Sequence, residues 1–431
     1  MSRDAPTAWI IGAGLAGLST AIELVRRGWR VTVLETAGQA GGRCRSYHDR
    51  HLDRWVDNGN HLLLSGNRSA MRFLQTVGAT DSLIEVVPAR LPFVDLESGE
   101  KWVIRPNSGP LPWWIFSAAR RTPGTETAHH LSAVRLARAG ERTVSALFSD
   151  TDGTARQRLY RRFWEPMAVA VLNTAAEQGA ARLLWPLMTE ILFRGEIAFR
   201  PCIARNGLTE SFVAPALDWL GENGAEIRFN NRVRTLQFGE QGIAALSLGD
   251  SVVSVGAQDA VICATTPAVA ADLVPALKVP TEYCPVVNLH FVTPEPVTLP
   301  ENLPLLGLVG GTAQWLFVRG DILSVTISAG HREAEMPHDQ VAKTVWQEIC
   351  RAVSLDGPVP PVRVVTEKRA TIAQTPAQNR LRPSARSSFP NLYLAGDWTA
   401  TGLPSTIEGA IRSGEQAAVA VGVPSRQRPC S

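Results

Sequence analysis

The chain has 431 residues, of which 45% are hydrophobic and 19% charged, and its formal net charge is +3. This length predicts two domains, while the small net charge and the lack of a basic run argue against a nucleic-acid partner. The six cysteines show no metal-ligand spacing, so we expect reduced thiols and no metal site. No apolar stretch reaches the roughly 18 residues of a membrane span, and the first strand begins almost at once, which predicts a cytoplasmic protein without a signal peptide.

The first forty residues contain a dinucleotide-binding fingerprint. An apolar run over 8–11 predicts a buried strand, and Gly12-x-Gly14-x-x-Gly17 follows it at the start of a predicted helix. A second predicted strand then delivers Glu35, about 20 residues beyond the glycines. The glycines allow a tight turn and the close approach of a pyrophosphate, and Glu35 is placed to accept hydrogen bonds from an adenosine ribose. This order of elements predicts adenine dinucleotide binding.

Two further polar segments follow. Gly41-Gly42-Arg43 lets the backbone fold beneath a phosphate while the guanidinium group reaches it, which favours FAD over NAD. A tight polar turn between apolar flanks then contains Asn60 and His61. A purely structural turn and a segment beside a flavin ring are both consistent with this pattern.

Residues 110–121 contain four consecutive apolar residues ahead of two arginines: Trp113, Trp114, Ile115 and Phe116, then Arg120 and Arg121. Tryptophans beside arginines suit the interface of a bilayer, where amphipathic rings and cationic groups both find partners. An internal cluster at a domain junction explains the pattern equally well. Peripheral membrane contact is therefore one of two interpretations of this segment.

The spacing predicts a helix over 157–173 whose middle is apolar on almost every side. Such a helix belongs to the core or forms the wall of an apolar cavity. Glu165 and Asn173 are the polar groups that need partners in these surroundings. Burial would raise the pKa of Glu165 and keep it protonated as a potential donor.

The rest of the sequence, from residue 209 onward, predicts strands of two different sheets. Its predicted elements are a helix over 209–223, a strand over 225–229, an alternating hairpin over 232–257, a parallel-type strand over 259–267, a second sheet over 280–330, a helix over 339–353 and a strand over 362–367. A last strand, over 391–395, ends in Gly396-Asp397. Ser405 to Glu408 then match a capping box that opens a helix over 409–418, whose small residues predict close packing on a strand or a flat ligand.

Together, these motifs resemble the flavin amine oxidase and phytoene desaturase superfamily over essentially the whole chain. Within it, segments 56–62, 163–174 and 396–405 resemble the hydroxysqualene dehydroxylases of bacterial hopanoid synthesis. The resemblance implies an α/β fold in which a Rossmann-like FAD-binding domain (1–90, 201–268 and 386–425) is interleaved with a substrate domain. That second domain would be mainly helical over 91–200 and would contain sheet and helix over 269–385, and residues 426–431 would form a tail.

The resemblance also implies bound FAD. Its contacts would come from Gly12, Gly14, Ala16, Gly17, Glu35, Gly41, Gly42, Arg43, Asn60, Val233, Gly396, Asp397, Ser405, Thr406 and Ile407. Among these, Asp397 would bond the ribityl or pyrophosphate group, and the backbone of Val233 would contact the adenine. No cysteine lies between Arg351 and Pro429 to form the C-terminal thioether of some relatives, so the FAD is expected to be non-covalent.

The implied reaction is the reductive dehydroxylation of a C30 isoprenoid alcohol, hydroxysqualene, to squalene, with an electron donor that the sequence does not identify. An allylic hydroxyl group leaves as water once it is protonated, and the remaining cation accepts a hydride. His61 and Glu165 are the candidate proton donors, and a water held by Asn60 or Asn173 is the alternative.

Two other functions stay open at this point. One is a polyene desaturase or amine oxidase, although the strand over 286–292 contains Asn288 and His290 and not the lysine that many amine oxidases use to hold a water. The other, of a different class, is a non-catalytic prenyl-lipid carrier on the same fold. A carrier would not need Glu35, Arg43 and Asp397 together.

Overall fold

The computed structural model describes residues 6–149, 154–249 and 251–424, so the tail predicted at 426–431 lies outside the described residues. Within them the strands are, in chain order, β1 (Thr7–Ile11), β2 (Arg30–Leu34), β3 (Ser46–Asp49), β4 (Arg54–Asp57), β5 (Leu63–Leu64), β6 (Leu83–Glu85), β7 (Leu91–Asp95), β8 (Lys101–Ile104), β9 (Pro201–Ala204), β10 (Glu226–Arg228), β11 (Thr235–Gly239), β12 (Gly242–Ser247), β13 (Val252–Ser254), β14 (Ala260–Cys263), β15 (Tyr283–Val292), β16 (Leu305–Val309), β17 (Trp315–Arg319), β18 (Ile322–Ser328), β19 (Val362–Ile372) and β20 (Leu392–Leu394).

The α-helices in the same residues are α1 (Leu15–Arg26), α2 (Arg68–Thr76), α3 (Thr127–His130), α4 (Val144–Phe148), α5 (Thr154–Leu159), α6 (Glu165–Leu172), α7 (Trp185–Glu190), α8 (Glu196–Phe199), α9 (Ala214–Glu222), α10 (Pro267–Leu273), α11 (His338–Val353), α12 (Pro376–Arg380) and α13 (Ile407–Val421). Two π-helical segments, Tyr160–Trp164 and Thr209–Val213, precede α6 and α9 directly. Short 3-10 turns lie at Thr80–Ser82, Trp113–Phe116, Leu131–Arg138, Ala181–Leu184, Leu192–Arg194 and Pro300–Asn302.

The first sheet has the strand order β10-β2-β1-β14-β20, and all of its pairs are parallel. Its strands come from three separate stretches of the chain, so the sheet is completed only when the C-terminal segment returns to it. β1 is buried along its whole length, as expected for a parallel strand with helices on both faces. The Rossmann-like, interleaved α/β fold predicted from the sequence is confirmed.

The small-residue face of α13 packs mainly on helix α1 and also contacts the end of strand β20. A Cβ atom added at Gly414 would lie 2.5 Å from the carbonyl oxygen of Ala16, so the two backbones approach closely. The Ser19 hydroxyl donates a hydrogen bond of 2.9 Å to the carbonyl oxygen of Ile411 across the same contact. Glycine and alanine at this face therefore fix the distance between the two helices.

The predicted capping box at the start of α13 is wrong. Thr406, and not Ser405, is the N-cap residue, and its side chain accepts a backbone hydrogen bond from the first turn. The carboxylate of Glu408 accepts hydrogen bonds from the backbone N–H groups of Ser69 and Ala70 at the start of α2, at 3.1 and 2.8 Å. A carboxylate there satisfies free N–H groups and interacts favourably with the helix dipole. Glu408 therefore joins α2 to α13.

The second sheet has the order β19-β15-β18-β17-β16-β7-β8 and is antiparallel except between β16 and β7. Along β15, Val287, Leu289 and Phe291 belong to a core cluster shared with residues of α11. Val286 and Asn288, on the opposite face of the strand, line a cavity. The period-two pattern over 280–330 thus correctly predicted this sheet, which β7 and β8 from an earlier part of the chain extend.

The aromatic segment over 113–116 is divided between the interior and the surface. Trp114 and Ile115 are buried, whereas the side chains of Trp113 and Phe116 are 61% and 59% exposed. Arg121 does not face outward, because its guanidinium group donates to the carbonyl oxygen of Ile115 at 2.9 Å. The internal cluster predicted from the sequence therefore holds for Trp114 and Ile115 only, and the side chains of Trp113 and Phe116 are left accessible.

Candidate active site

The glycine-rich loop after β1 forms a cradle at the carboxyl edge of the parallel sheet. Gly12 has φ of +106°, a conformation that favours glycine, and an added Cβ would lie 2.7 Å from the carbonyl oxygen of Ala264. At Gly14, in contrast, an added Cβ would meet no atom within 4 Å. The space beside Gly12 is filled by protein, and the space beside Gly14 is open.

The N-terminus of α1 has the properties of an anion site. Gly14 is its N-cap and provides no side-chain cap, and the first turn contains no acidic residue. The N–H groups of the first turn, those of Leu15 and Ala16 among them, have no acceptor within the helix, and the helix dipole favours a negative charge there. Gly41 lies alongside, since it forms a backbone bridge with Gly14 and donates to the carbonyl oxygen of Ala13 at 2.8 Å. The cradle fits a pyrophosphate.

Glu35 lies at the end of β2, next to the cradle. Its carboxylate accepts hydrogen bonds from the backbone N–H groups of Ala13 at 2.7 Å and Ala37 at 2.8 Å. The N–H group of Asn231 donates to the Glu35 carbonyl oxygen at 2.8 Å, which holds the segment before Val233 beside the same strand end. Glu35 and the segment that contains Val233 are therefore adjacent. This arrangement is what the predicted contacts require, because the ribose and the adenine of one nucleotide are neighbours.

Arg43 and Asp397 come together from opposite ends of the chain. Their side chains form an ion pair of 2.7 Å, Asp397 is buried, and its charge raises the pKa of Arg43. The N–H group of Gly396 donates to the Ser413 hydroxyl at 2.8 Å, and the Ser405 hydroxyl donates to the Asp397 carbonyl oxygen at 3.1 Å. These bonds fix the C-terminal motif against the N-terminal one.

A mainly apolar cavity, about 2000 Å³ when the space open to solvent is included, lies beside Arg43. Its wall combines residues of the second sheet, of β5 and the turn before it, of α6 and the π-helical segment ahead of it, of the segment from α7 to α8, and of the loop before α13. The apolar ones are Leu62, Leu64, Leu91, Phe93, Ile104, Phe163, Met167, Val171, Leu187, Ile191, Phe199, Trp315, Phe317 and Leu403. Arg43, Ser405, Thr406 and Ile407 line it as well, which connects the cavity with the predicted cofactor contacts. An apolar ligand in this cavity would lie beside the predicted cofactor contacts.

One group of polar side chains in the cavity wall is linked by hydrogen bonds. The Asn60 amide donates to the Thr326 hydroxyl at 3.1 Å, and that hydroxyl donates to the Asn288 side-chain oxygen at 2.9 Å. His61 also lines the cavity, and no described residue offers a hydrogen-bond partner to its ring. Burial lowers the pKa of His61, Asp57 opposes this effect, and Arg43 adds to it. At neutral pH its imidazole is therefore mainly uncharged, with both nitrogens available.

The structure does not bring Glu165 to this group. Met167, Ala170 and Val171 of α6 line the cavity, and Glu165 lies on the opposite face of the helix. The expected rise in the pKa of Glu165 is present, caused by burial and by the charge of Glu177. Its position, however, does not support a role as the proton donor.

Two other polar residues have structural roles. The Asn173 amide donates to the carbonyl oxygen of Cys284 at 3.1 Å and its oxygen accepts from the N–H group of Ala329 at 2.6 Å, so its side chain is engaged. His290 is buried, with ring nitrogens 2.8 Å from the Ser324 hydroxyl and 3.0 Å from the Asp57 carbonyl oxygen. Burial lowers the pKa of His290 to about 4. His290 does not line the cavity; Asn173 does, but protein groups engage both its side-chain amide and its side-chain oxygen.

Comparison with known proteins connects these features. The model of a family described as flavin containing amine oxidoreductase matches residues 15–422. The chain belongs to this family. It is 42% identical, over 95% of its length and 96% of the relative's, to a hydroxysqualene dehydroxylase of Sinorhizobium fredii. A hydroxysqualene dehydroxylase of Rhodopseudomonas palustris is also 42% identical, over 96% of this chain and 97% of the relative.

Solved structures show the same architecture. A redesigned putrescine oxidase superposes with a TM-score of 0.70 and 16% identity, covering 96% of this chain and 99% of its own. The fold is thus that of the flavin amine oxidases, and the protein is an FAD-dependent oxidoreductase. Among the described residues, no helix is long and apolar enough to cross a membrane. The same residues contain no group of three or more His, Cys, Asp or Glu that could hold a metal ion.

Proposed function

We propose that the protein catalyses the reductive dehydroxylation of hydroxysqualene to squalene. The observation that carries the proposal is the mainly apolar cavity beside Arg43, in which the side chains of Asn60, Thr326 and Asn288 form a hydrogen-bonded polar group. A C30 hydrocarbon chain with a single hydroxyl group needs a mainly apolar wall and at least one polar partner, and this cavity offers both. The hydroxysqualene dehydroxylases at 42% identity, aligned along almost the whole chain, support the same reaction.

The chemistry needs few groups from the protein. A proton converts the allylic hydroxyl group into water, which leaves with the C–O bonding pair, and the remaining cation accepts a hydride to give the hydrocarbon. Reduced FAD, when bound, supplies that hydride and its two electrons. His61 supplies the proton in this proposal, Asn60 holds the turn that carries His61 against the second sheet, and the apolar wall keeps water from the cation.

The alternative functions, an amine oxidase, a polyene desaturase and a prenyl-lipid carrier, differ in the residues that they need. No lysine is among the described residues that line it, so the lysine-held water of many amine oxidases has no counterpart there. A polyene desaturase would pass electrons from substrate to flavin, the reverse of the proposed direction. A prenyl-lipid carrier would have no use for the adjacent Glu35 and Val233 segments or for the Arg43–Asp397 pair.

An anaerobic single-turnover experiment tests the proposal. We expect the dithionite-reduced protein to be reoxidised by hydroxysqualene with formation of one squalene per flavin. Phytoene or a primary amine is expected to leave the oxidised flavin unchanged. Flavin reduction by either compound, without reoxidation by hydroxysqualene, would favour an oxidase or desaturase, and a colourless purified protein would favour the carrier.

We further propose that the FAD is held without a covalent bond. Its predicted contacts are hydrogen bonds and an ion pair, and the sequence offers no cysteine between Arg351 and Pro429 for a thioether. Acid precipitation is expected to release all of the yellow colour into the supernatant. Flavin that stays with the pellet would contradict the proposal.

We also propose that an exposed apolar patch brings the protein to the membrane surface, where its water-insoluble substrate is dissolved. The patch consists of Leu111, Trp113, Phe116, Leu131 and Val134, which are 53–61% exposed. The two segments that carry them are packed together, because the Thr127 hydroxyl donates to the Ile115 carbonyl oxygen at 3.1 Å. The exposed cations nearby in the sequence are Arg120, Arg135 and Arg138, which suit anionic lipid.

Replacing Trp113 and Phe116 by serine is expected to weaken sedimentation with anionic liposomes about tenfold or more, because each ring contributes roughly 1.5–3 kcal/mol when buried. The flavin spectrum should not change. Trp55→Ser is the matched control, since Trp55 is 55% exposed on the β3–β4 hairpin, away from the patch in sequence. Equal liposome binding by the double variant and the wild type would contradict membrane contact through this patch.

A further inference from the structure

Asn288 is a buried polar residue in the middle of a largely apolar strand. It is only 1% exposed, and its neighbours along β15, Val287 and Leu289, are fully buried in the core on the other face. A buried amide that lacks hydrogen bonds costs roughly 1–3 kcal/mol of stability. The hydrogen-bond partners of the Asn288 side chain therefore indicate its role.

The side-chain oxygen of Asn288 is fully occupied. Thr326, its partner across the β15–β18 pair, donates to this oxygen at 2.9 Å. The backbone N–H and the side-chain amide of Asn60 lie at 3.4 and 3.5 Å from it, and that amide also donates to the Thr326 hydroxyl at 3.1 Å. Three donors around the oxygen fix the orientation of the amide, since a flipped side chain would direct its own donors at the Asn60 N–H group.

The side-chain nitrogen of Asn288 is free. No described residue accepts a hydrogen bond from it, and it is not sealed inside the protein but belongs to a residue that lines the cavity. Residue 59 is a glycine, and a Cβ there would lie 3.2 Å from this nitrogen. A larger residue at 59 would crowd the approach to the amide, so the sequence leaves the two N–H donors of Asn288 accessible from the cavity.

We propose that Asn288 binds the oxygen atom of the substrate's hydroxyl group and, after C–O cleavage, of the departing water. This inference rests on the proposed function and names the residue that recognises the alcohol. With its oxygen occupied, the amide acts only as a donor, and a donor pair in an apolar cavity serves an acceptor such as a hydroxyl oxygen. The amide does not titrate, so it holds the leaving oxygen while another group supplies the proton.

In this proposal, Asn288 consequently makes the protein bind the substrate more tightly than the product. Squalene has the same chain as hydroxysqualene but offers no acceptor, and its binding leaves the two N–H donors without a partner. A site built to hydrogen-bond a hydroxyl group rejects the analogue that lacks it, because the buried polar group is then unsatisfied. The protein should therefore bind the alcohol more tightly than the hydrocarbon and release the product readily.

Equilibrium binding to the oxidised, FAD-loaded protein tests this assignment without turnover. We would titrate hydroxysqualene and squalene separately and follow the change in flavin absorbance or fluorescence. Asn288→Leu is expected to raise the Kd for hydroxysqualene on the order of 10- to 100-fold, the equivalent of one lost buried hydrogen bond, and to leave the Kd for squalene unchanged or lower. Asn288→Asp keeps the shape and the oxygen near Thr326, and it replaces Asn288→Leu if the latter does not load flavin.

The ratio of the Kd for squalene to the Kd for hydroxysqualene distinguishes the possible outcomes. A variant that still prefers the alcohol as strongly as the wild type does, or that weakens both ligands equally, would overturn the assignment while squalene formation by the wild type keeps the proposed function intact. If the wild type forms no squalene yet loses its preference for the alcohol on Asn288→Leu, the hydroxyl-binding role stands and the proposed reaction fails.

Discussion

Replacing Gly14 by valine is expected to lower the affinity for FAD on the order of 100-fold while leaving the fold of the protein unchanged. Gly14 has ordinary backbone angles, φ of −72° and ψ of 174°, and a Cβ there meets no protein atom within 4 Å. A branched side chain would instead fill the open space at the N-terminus of α1, where we place the pyrophosphate. A 100-fold change corresponds to ~2.8 kcal/mol, within the usual range for an overpacked contact.

Neighbouring glycines provide contrasts for this experiment. A Cβ at Gly17 would overlap the carbonyl oxygen of Gly12, so Gly17→Val should prevent folding and not merely weaken cofactor binding. A Cβ at Gly221, in α9, meets no atom within 4 Å, and Gly221→Val should preserve both the fold and the affinity for FAD. Thermal unfolding of the apoproteins and titration with FAD distinguish the three variants. Wild-type FAD affinity in Gly14→Val would show that the pyrophosphate lies elsewhere.

The sequence predicted those parts of the fold that local patterns control. Apolar runs in the sequence correctly predicted strands of the parallel sheet. The spacing of Gly12, Gly14 and Gly17 was also informative, because it depends only on one turn and the helix after it. For these strands and this turn the decisive interactions lie within a few residues. The return of the C-terminal Asp397 to the first domain, in contrast, was implied by the resemblance to the flavin amine oxidase superfamily.

The sequence failed where distant groups compete with local ones. Glu408 fits a local capping box, but the N–H groups of Ser69 and Ala70, brought near by the packing of α2, take its carboxylate. Glu165 is in a helix that is apolar on almost every side, so the sequence did not show which face borders the cavity. The hydrogen bonds of Asn288 depend on its position opposite Thr326 on β18. No pattern within β15 alone indicates that pairing.

The second large effect concerns His61, which we propose as the proton donor. His61→Gln is expected to slow single-turnover reoxidation of reduced flavin by hydroxysqualene on the order of 10² to 10⁴-fold. FAD affinity should be retained, because the described residues form no hydrogen bond to the His61 ring that the substitution would break. Glu165→Gln is the control, since Glu165 lies on the face of α6 away from the cavity, and it should react at the wild-type rate.

The pH dependence follows from the environment of His61. Burial lowers its pKa below the usual 6.5, so the charged, proton-donating form is populated only toward acid pH. The wild-type rate should therefore rise as the pH falls and level off below the lowered pKa of His61, and this dependence should vanish in His61→Gln. If the variant keeps both the rate and the pH dependence of the wild type, the proton comes from another source. A water held by the Asn60–Thr326 group would then be the better candidate, because it too lies at the polar part of the cavity.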